Sequence, residues 1–320
     1  MPQTAVRAAR EALADARRLA ARSLAGYARS RVRCACIDIG SNTTRLLVAD
    51  VDGRSLAPIA ERRAFTRLGA ACAAGGALRA AALAPLAEIV AAQAAEARTL
   101  GAEALRVVAT AAVRRAANAL DACHALAAAA GAPVELLSEQ DEARLAFAGA
   151  TRGLAREEAG RIAVVDVGGG SAQLVAGTCA EGVEWARSLP LGSGDLAAAH
   201  LHGDPPSAAE LAELRAAVAR TLDGLTVPHV ERALAVGGSA TSLRRLVGPR
   251  LDRAGLERAH AVLVAAPAAA IAVETRIAPE RVRLLPAGLV VLAALAERVG
   301  PLEIAHGGLR EGVVQELARA

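Results

Sequence analysis

Residues 164–177 read VVDVGGGSAQLVAG: an apolar run closing on Asp166, three consecutive glycines, Ser171, and a second apolar run. Two short valine-bearing runs joined through a glycine turn spell a β-hairpin. Residues 36–50 read CIDIGSNTTRLLVAD. A shift of 128 residues, without a gap, lays Asp38 on Asp166, Gly40 on Gly168, Thr43 on Ser171 and Leu46 on Leu174. Each turn leads into a strand and not into a helix, so the dinucleotide-binding fingerprint does not apply. A repeat at this distance predicts two similar domains facing each other.

The chemistry follows from the residue types. Glycine lets backbone approach a ligand closely, and consecutive N–H groups in such a turn form an anion nest. The hydroxyls of Ser41, Thr43 and Ser171 add donors, and an Asp at a strand end suits a hard cation. Two such loops from two domains would grip a phosphate chain and its metal between them. A third glycine cluster, AVGGSATSLRRL at 235–246, follows an apolar run and leads into a helical pattern. Its Gly237, Gly238 and Ser239 are expected to cap that helix and to bind another phosphate or a ribose.

The 320 residues leave room for two domains with proper cores, and 54% hydrophobic with 22% charged residues is a globular composition. All 37 basic residues are arginine. Without lysine, the G-K-[ST] of a P-loop cannot occur. The formal charge of +4 is concentrated in residues 1–33, where eight arginines face only Glu11 and Asp15. The body is therefore not expected to bind nucleic acid, and only this basic, helix-prone extension could take it. The extension lacks the apolar core of a signal peptide. No apolar run is clean and long enough to span a bilayer, residues 285–296 coming closest, so no membrane partner is expected. Five scattered cysteines form no disulfide framework, and Cys34 and Cys36 alternate on a strand as small apolar residues. A reduced cytoplasm is the expected location. The six histidines show no metal spacing beyond His200 and His202, expected to be solvated.

Along the chain the pattern predicts helix over 76–100, strand over 104–110, helix over 112–130 and strand over 133–138. Ser138 with Asp141 three residues later opens a helix. On that helix Glu142 shares a stripe with Leu145, Ala146 and Gly149, leaning a carboxylate towards a small-residue apolar surface. Partial desolvation should raise its pKa into general-base range; a surface ion pair with an arginine is the alternative. Beyond the second hairpin come a strand near 183–188 and the turn LPLGSGD. Helices follow near 207–224, 254–265, 267–275 and 286–298, then a strand over 302–305 and a closing helix. Alternation of strands and helices gives an α/β class with mixed sheets.

Taken together, IDIGSNTTRLLV, RLG at 67–69, VVATAAVRRAAN at 107–118, LLSEQDEARLAFAGA, VVDVGGGSAQLV, LPLGSGDL, AVGGSATS, LLPAG and HGGLREGV resemble the exopolyphosphatase / guanosine pentaphosphate phosphatase (Ppx/GppA) family over roughly 34–320. The resemblance implies a duplicated actin-like (ASKHA, ribonuclease H-like) fold with an interdomain cleft. A basic extension over 1–33 would precede a first domain over 34–155 and a second over 156–306, with the helix about 307–320 packing back on the first. It further implies Mg²⁺ or Mn²⁺ as cofactor, hydrolysis of terminal phosphoanhydrides of polyphosphate or guanosine pentaphosphate, and a homodimer. Residue by residue, Glu142 matches the base and Asp166 the metal-associated acid, with Asp38 a second metal candidate. Asp38, Gly40, Ser41, Asn42 and Thr43 match the first phosphate loop; Gly168, Gly169, Gly170 and Ser171 match the second. Arg114 and Asn118 match too, Arg114 as a phosphate ligand. Where the family carries a metal-holding Glu, this chain has Gln173, which keeps an oxygen donor but removes a charge. Two other readings stay open: a polyphosphate- or (p)ppGpp-binding sensor without turnover, favoured by Gln173, and an actin-like nucleotidase or kinase. The chain resembles a short, two-domain member without the C-terminal helical extension. Four aromatic residues leave little for a guanine clamp, which leans towards polyphosphate.

Overall fold

The computed structural model describes residues 31–53, 55–71, 76–155 and 160–320. The extension before residue 31 and Cys72 lie outside the described residues. The first hairpin is β1 (Val32–Ile39) and β2 (Thr43–Asp52), followed by β3 (Ser55–Phe65), a strand not among the sequence expectations although Asp52 and Gly53 form a hairpin turn signal. Helix α1 (Leu68–Ala71) and α2 (Ala80–Thr99) lead to β4 (Ala104–Ala109), α3 (Ala111–Arg114), α4 (Ala119–Ala130), β5 (Val134–Leu136) and α5 (Glu139–Thr151). The strands lie in the order β3-β2-β1-β4-β5, antiparallel in the meander and parallel from β1 onwards.

The second half opens with β6 (Ile162–Val167), β7 (Ala172–Thr178) and β8 (Gly182–Leu189), then α6 (Ser193–His200), α7 (Ala208–Thr221), β9 (Arg232–Val236) and α8 (Gly237–Val247). Next come β10 (Arg250–Leu251), α9 (Arg253–Ala265), α10 (Ala268–Thr275), α11 (Pro279–Val282), α12 (Leu285–Val299), β11 (Leu302–Ile304) and α13 (Leu309–Leu317). The sheet order is β10-β11-β9-β6-β7-β8. Read from its hairpin outward, β8-β7-β6-β9-β11 repeats β3-β2-β1-β4-β5, with β10 added at one edge. The repeat extends to register: Asp38 lies opposite Arg45 across the first hairpin, and Asp166 opposite Gln173 across the second.

Both central strands are covered on two faces, which is why they read as continuous apolar runs. Period-two alternation divides β1 between two cores. Ala35, Ile37 and Ile39 pack with Leu86, Val90 and Leu126 of α2 and α4. Cys34 and Cys36 pack with Leu309, Val313 and Val314 of α13, the small apolar role expected of them. In the same way Ala163, Val165 and Val167 of β6 join the α12 core, while Ile162 and Val164 meet Ala143, Phe147 and Ala150 of α5.

Three expectations need correction. The helix expected over 112–130 breaks between α3 and α4. There Asn118 accepts a hydrogen bond from Leu78 N at 2.8 Å and returns one to Leu78 O at 3.0 Å, drawing the chain off the helical path. The LPLGSGD turn runs directly into α6. The helix nearest to a membrane span is α2, not 285–296; its mean hydropathy reaches 1.2 over 18 residues. It packs Leu86, Val90, Ala94 and Ala97 into the first core and carries Glu88, Glu96 and Arg98 elsewhere.

Helices α5 and α13 are pressed together through glycine. A β-carbon on Gly149 would overlap the Gly308 carbonyl, and one on Gly312 would overlap the Leu145 carbonyl. Overpacking of this kind costs about 1–3 kcal/mol. Gly312→Ala should therefore lower the unfolding free energy in urea by about that amount, whereas Gly153→Ala, where a β-carbon meets nothing within 4 Å, should leave it nearly unchanged.

Candidate active site

The two hairpin turns, the first turn of α8, Glu142 on α5 and the chain entering α13 enclose one cavity of about 140 Å³ between the sheets. Each turn is closed by the same bond, Gly40 N to Thr43 O and Gly168 N to Ser171 O, both 3.0 Å. The turns touch. A β-carbon on Gly169 would stand 2.7 Å from Cβ of Asn42, and one on Gly170 would overlap Ser41 Oγ, so this approach requires glycine. Among the described residues the N–H groups of Ser41, Asn42, Gly169, Gly170 and Ser171 donate to no protein acceptor. The opposite ends of the second turn are occupied. Ser193 N donates to Gly168 O at 2.9 Å, and Gly194 N and Asp195 N to Gly169 O at 2.9 and 3.0 Å. The start of α6 thus holds the glycine carbonyls and leaves the N–H groups free for an anion.

Asp38, Glu142 and Asp166 face this space, with Glu311 on the same wall. Glu142 is only 8% exposed, and burial pushes its pKa up to about 7. Arg114 opposes that rise, with Nη1 donating to Glu142 Oε2 at 3.0 Å, while Asp38 and Asp166 add to it. Glu142 is desolvated as expected, and it is also paired with an arginine, though in the cavity wall and not at the surface. Burial, then the Asp38 charge, lifts Asp166 to about 6. Asp38 is raised by burial against the pull of Arg310 and Arg45.

Arginines line the same cavity. Burial, then repulsion from Arg310 and Arg63, pushes Arg45 down to about 9. Burial, then Arg63, pushes Arg281 down to about 10. Burial also works against Arg310, but Glu311, Glu61 and Asp38 carry it above its ordinary value. The buried Nε atoms of Arg45 and Arg281 and Oδ1 of Asp38 have no hydrogen-bond partner. Such orphaned groups are the mark of a site that expects a ligand.

The structure brings Asp38, Gly40, Ser41, Asn42, Thr43, Glu142, Asp166, Gly168, Gly169, Gly170, Ser171, Gln173, Gly237 and Gly238 to the cavity wall. Gly237 has φ 85°, and a β-carbon on it would overlap Asp166 Oδ1. Two candidates lie elsewhere. Arg114 stands behind Glu142, also donating to Leu137 O at 2.7 Å, because the carboxylate and carbonyl occupy its fork. Ser239 is fully buried within α8, which starts at Gly237 after Val236, so it neither caps the helix nor lines the cavity; its hydroxyl packs against Gly288 of α12 without a hydrogen-bond partner among the described residues. Sequence reading missed Arg45, Arg281, Arg310 and Glu311. Two signals were present: Arg45 is the 128-residue counterpart of Gln173, and Arg310 and Glu311 sit inside HGGLREGV.

For a metal, no group of three or more His, Cys, Asp or Glu converges among the described residues. Asp38, with an unsatisfied oxygen, and Asp166, raised by its neighbour, offer two carboxylates beside the Gln173 amide. That set suits Mg²⁺, which takes one or two carboxylates plus substrate oxygens, and not a closed protein cage. Gln173 is 2% exposed and spends its Nε2 on Ser171 Oγ at 2.9 Å, leaving its oxygen as the donor. Phe65, Phe147 and Trp185 do not line the cavity.

Duplicated topology and a cavity between the paired turns define an actin-like, two-lobed α/β protein. Residues 47–320 match the Ppx/GppA phosphatase family, and the chain belongs to that family of phosphatases. It is 33% identical over 302 residues, 88% of each chain, to exopolyphosphatase 1 of Mycobacterium leprae. Identity is 34% over 228 residues with exopolyphosphatase 2 of Mycobacterium tuberculosis, covering 67% of this chain and 70% of the relative. The crystal structure of the Aquifex aeolicus Ppx/GppA family member matches 90% of this chain and 98% of its own, with TM-score 0.75 and 25% identity. An exopolyphosphatase structure from Cytophaga hutchinsonii shares the fold, with TM-score 0.79 over 90% and 98% at 19% identity.

Among the described residues Arg114 lowers the Glu142 pKa, by its charge and by direct contact. Arg114→Met should move the Glu142 titration, followed by ¹³C NMR of labelled carboxyl groups, upward from about 7. An upward displacement by about 1–3 units is the scale of losing an adjacent opposite charge.

Proposed function

We propose that this cavity hydrolyses the terminal phosphoanhydride bond of inorganic polyphosphate, with guanosine pentaphosphate as a further substrate, and that Glu142 is the general base. The observation carrying this reading is a single carboxylate held at about 7 and facing two anion nests. A base with that pKa is ionised when needed and still basic enough to accept a proton at neutral pH. The names of the mycobacterial relatives support the substrate class.

The free N–H groups of both turns, with Ser41, Thr43 and Ser171, would hold the terminal phosphates. Arg45, Arg281 and Arg310 would neutralise their charge without adding a covalent partner. Glu142 takes the proton of a water as its oxygen bonds to phosphorus and the bridging oxygen leaves with the shortened chain. Arg114 keeps the Glu142 carboxylate oriented and its pKa near neutral. Mg²⁺ or Mn²⁺, held by Asp38, Asp166 and the Gln173 oxygen, would supply charge neutralisation at the leaving phosphate. Among the described residues no aromatic side chain lines the cavity wall, which favours a polyphosphate tail over recognition of a base.

Gln173 favours a second reading, a sensor that binds polyphosphate or guanosine tetra- and pentaphosphate without turnover. Phosphate release from medium-chain polyphosphate with Mg²⁺ separates the two. Release by the wild type, lost by roughly 10²–10⁴ in Glu142→Gln, is the expected outcome for a general base. Gln173→Glu should lower the Mg²⁺ concentration needed for half-maximal rate. Micromolar binding with no release, restored by Gln173→Glu, would hand the site to the sensor reading.

The raised carboxylates also tie stability to pH. The folded state holds the Glu142 proton more tightly than the unfolded chain does, so its contribution weakens as pH rises from about 4.5 through about 7. A cation between the carboxylates would relieve that loss. Mg²⁺ should raise the thermal midpoint more at pH 8 than at pH 5; equal effects at both would remove the carboxylates as its ligands.

A further inference from the structure

Arg115 closes α3 in the first lobe and reaches the second lobe at the cavity edge. Its Nη1 donates to Gly170 O at 3.1 Å and its Nη2 to Asp195 Oδ2 at 2.9 Å. Asp195 is itself clasped between lobes: its backbone N–H holds Gly169 O, and a β-carbon on Gly69 of the first lobe would come within 2.7 Å of its Oδ1.

The carbonyl of Gly170 and the N–H of Ser171 belong to one planar trans peptide and point in opposite directions. A guanidinium that holds this carbonyl therefore fixes where the Ser171 N–H points. The carbonyls of Gly168 and Gly169 are held from within their own lobe by α6, whereas that of Gly170 is held from the other lobe. We propose that Arg115, gripped by Asp195, is a positioning residue that aims the Ser171 N–H into the anion nest and latches the two lobes around the terminal phosphate. Both side chains are well exposed, 44% and 38%, so the latch is weak enough to open for substrate exchange and is loosened by salt. Arginine fits the task because its rigid planar fork presents N–H groups to two separated acceptors in fixed geometry, whereas lysine offers a compact point charge on a flexible stem. The inference rests on the proposed reading of this cavity as a phosphate site.

The test compares Arg115→Met, Arg115→Lys, Asp195→Asn and the Met/Asn double variant with the wild type, measuring polyphosphate hydrolysis and amide exchange of the ligand-free protein over 168–171 and 192–195. Arg115→Met should raise KM roughly tenfold, the scale of one charge-assisted hydrogen bond, with kcat changed far less, and should speed exchange in both segments. Arg115→Lys should recover part of both effects. Asp195→Asn should do less than Arg115→Met, and the double variant no more than Arg115→Met alone, because the two side chains act as one unit. Unchanged exchange, additive effects, or a lower kcat at constant KM would overturn the positioning role. If the wild type neither hydrolyses nor binds polyphosphate, the functional reading fails instead, and the exchange data still decide whether Arg115 orders the turn.

Discussion

Everything in this protein is arranged around three carboxylates that the fold brings to the wall of one polar cavity. Asp38, Asp166 and Glu142 come from different elements of two lobes, and each raises or is raised by another. Left alone, such a cluster would drive the lobes apart or take up protons. The guanidiniums of Arg45, Arg281 and Arg310 share the space, while among the described residues Glu142 alone of the three carboxylates is held in a direct ion pair, with Arg114. Several of their atoms remain unsatisfied. The resting site therefore stores electrostatic cost that an anion with its cation can relieve, which turns an unfavourable arrangement into a selective one.

The frame holding this arrangement depends on close backbone approach more than on large side chains. Turn meets turn at Gly169 and Gly170, and α5 meets α13 at Gly149 and Gly312. Glu142 sits at the start of α5, and Arg310 and Glu311 at the start of α13, so one glycine-lined contact fixes the position of the base relative to two charged groups of the wall. The C-terminal helix packs on Cys34 and Cys36 of the first sheet, while α5 packs on Ile162 and Val164 of the second. That helix pair is a mechanical link between the lobes, beside the touching turns.

Much of this was legible in the chain because it is local or repeated. The hairpins, their aspartates and glycines, and the capped start of α5 are spelled out in short runs, and the 128-residue offset announces the duplicated sheet. What escaped reading depends on contacts between distant segments. Arg45 and Arg310 are 265 positions apart and meet only because α13 returns to the first sheet. Arg114 looked like a ligand because motif position cannot tell which way a side chain points once Leu137 and Glu142 compete for it. Strand β3 lacks a clean alternation, carrying Glu61, Arg62 and Arg63 in a row, since it lies at a sheet edge with an exposed face. Ser239 resembled a cap because the helix start moved two residues earlier, to a glycine that alone fits beside Asp166.

The absence of lysine from the whole chain acquires a meaning inside the cleft. Surroundings that bring the Arg45 guanidinium to about 9 leave it fully cationic under any ordinary cellular condition. An ammonium starts about two units lower than a guanidinium, so the same environment would leave it half-neutral near pH 7. It would also expose the site to charge loss by acylation. By building its buried cations from arginine alone, the protein keeps the positive side of its cavity constant and leaves the carboxylates, among the described residues, as the only groups there whose charge follows the pH of the medium.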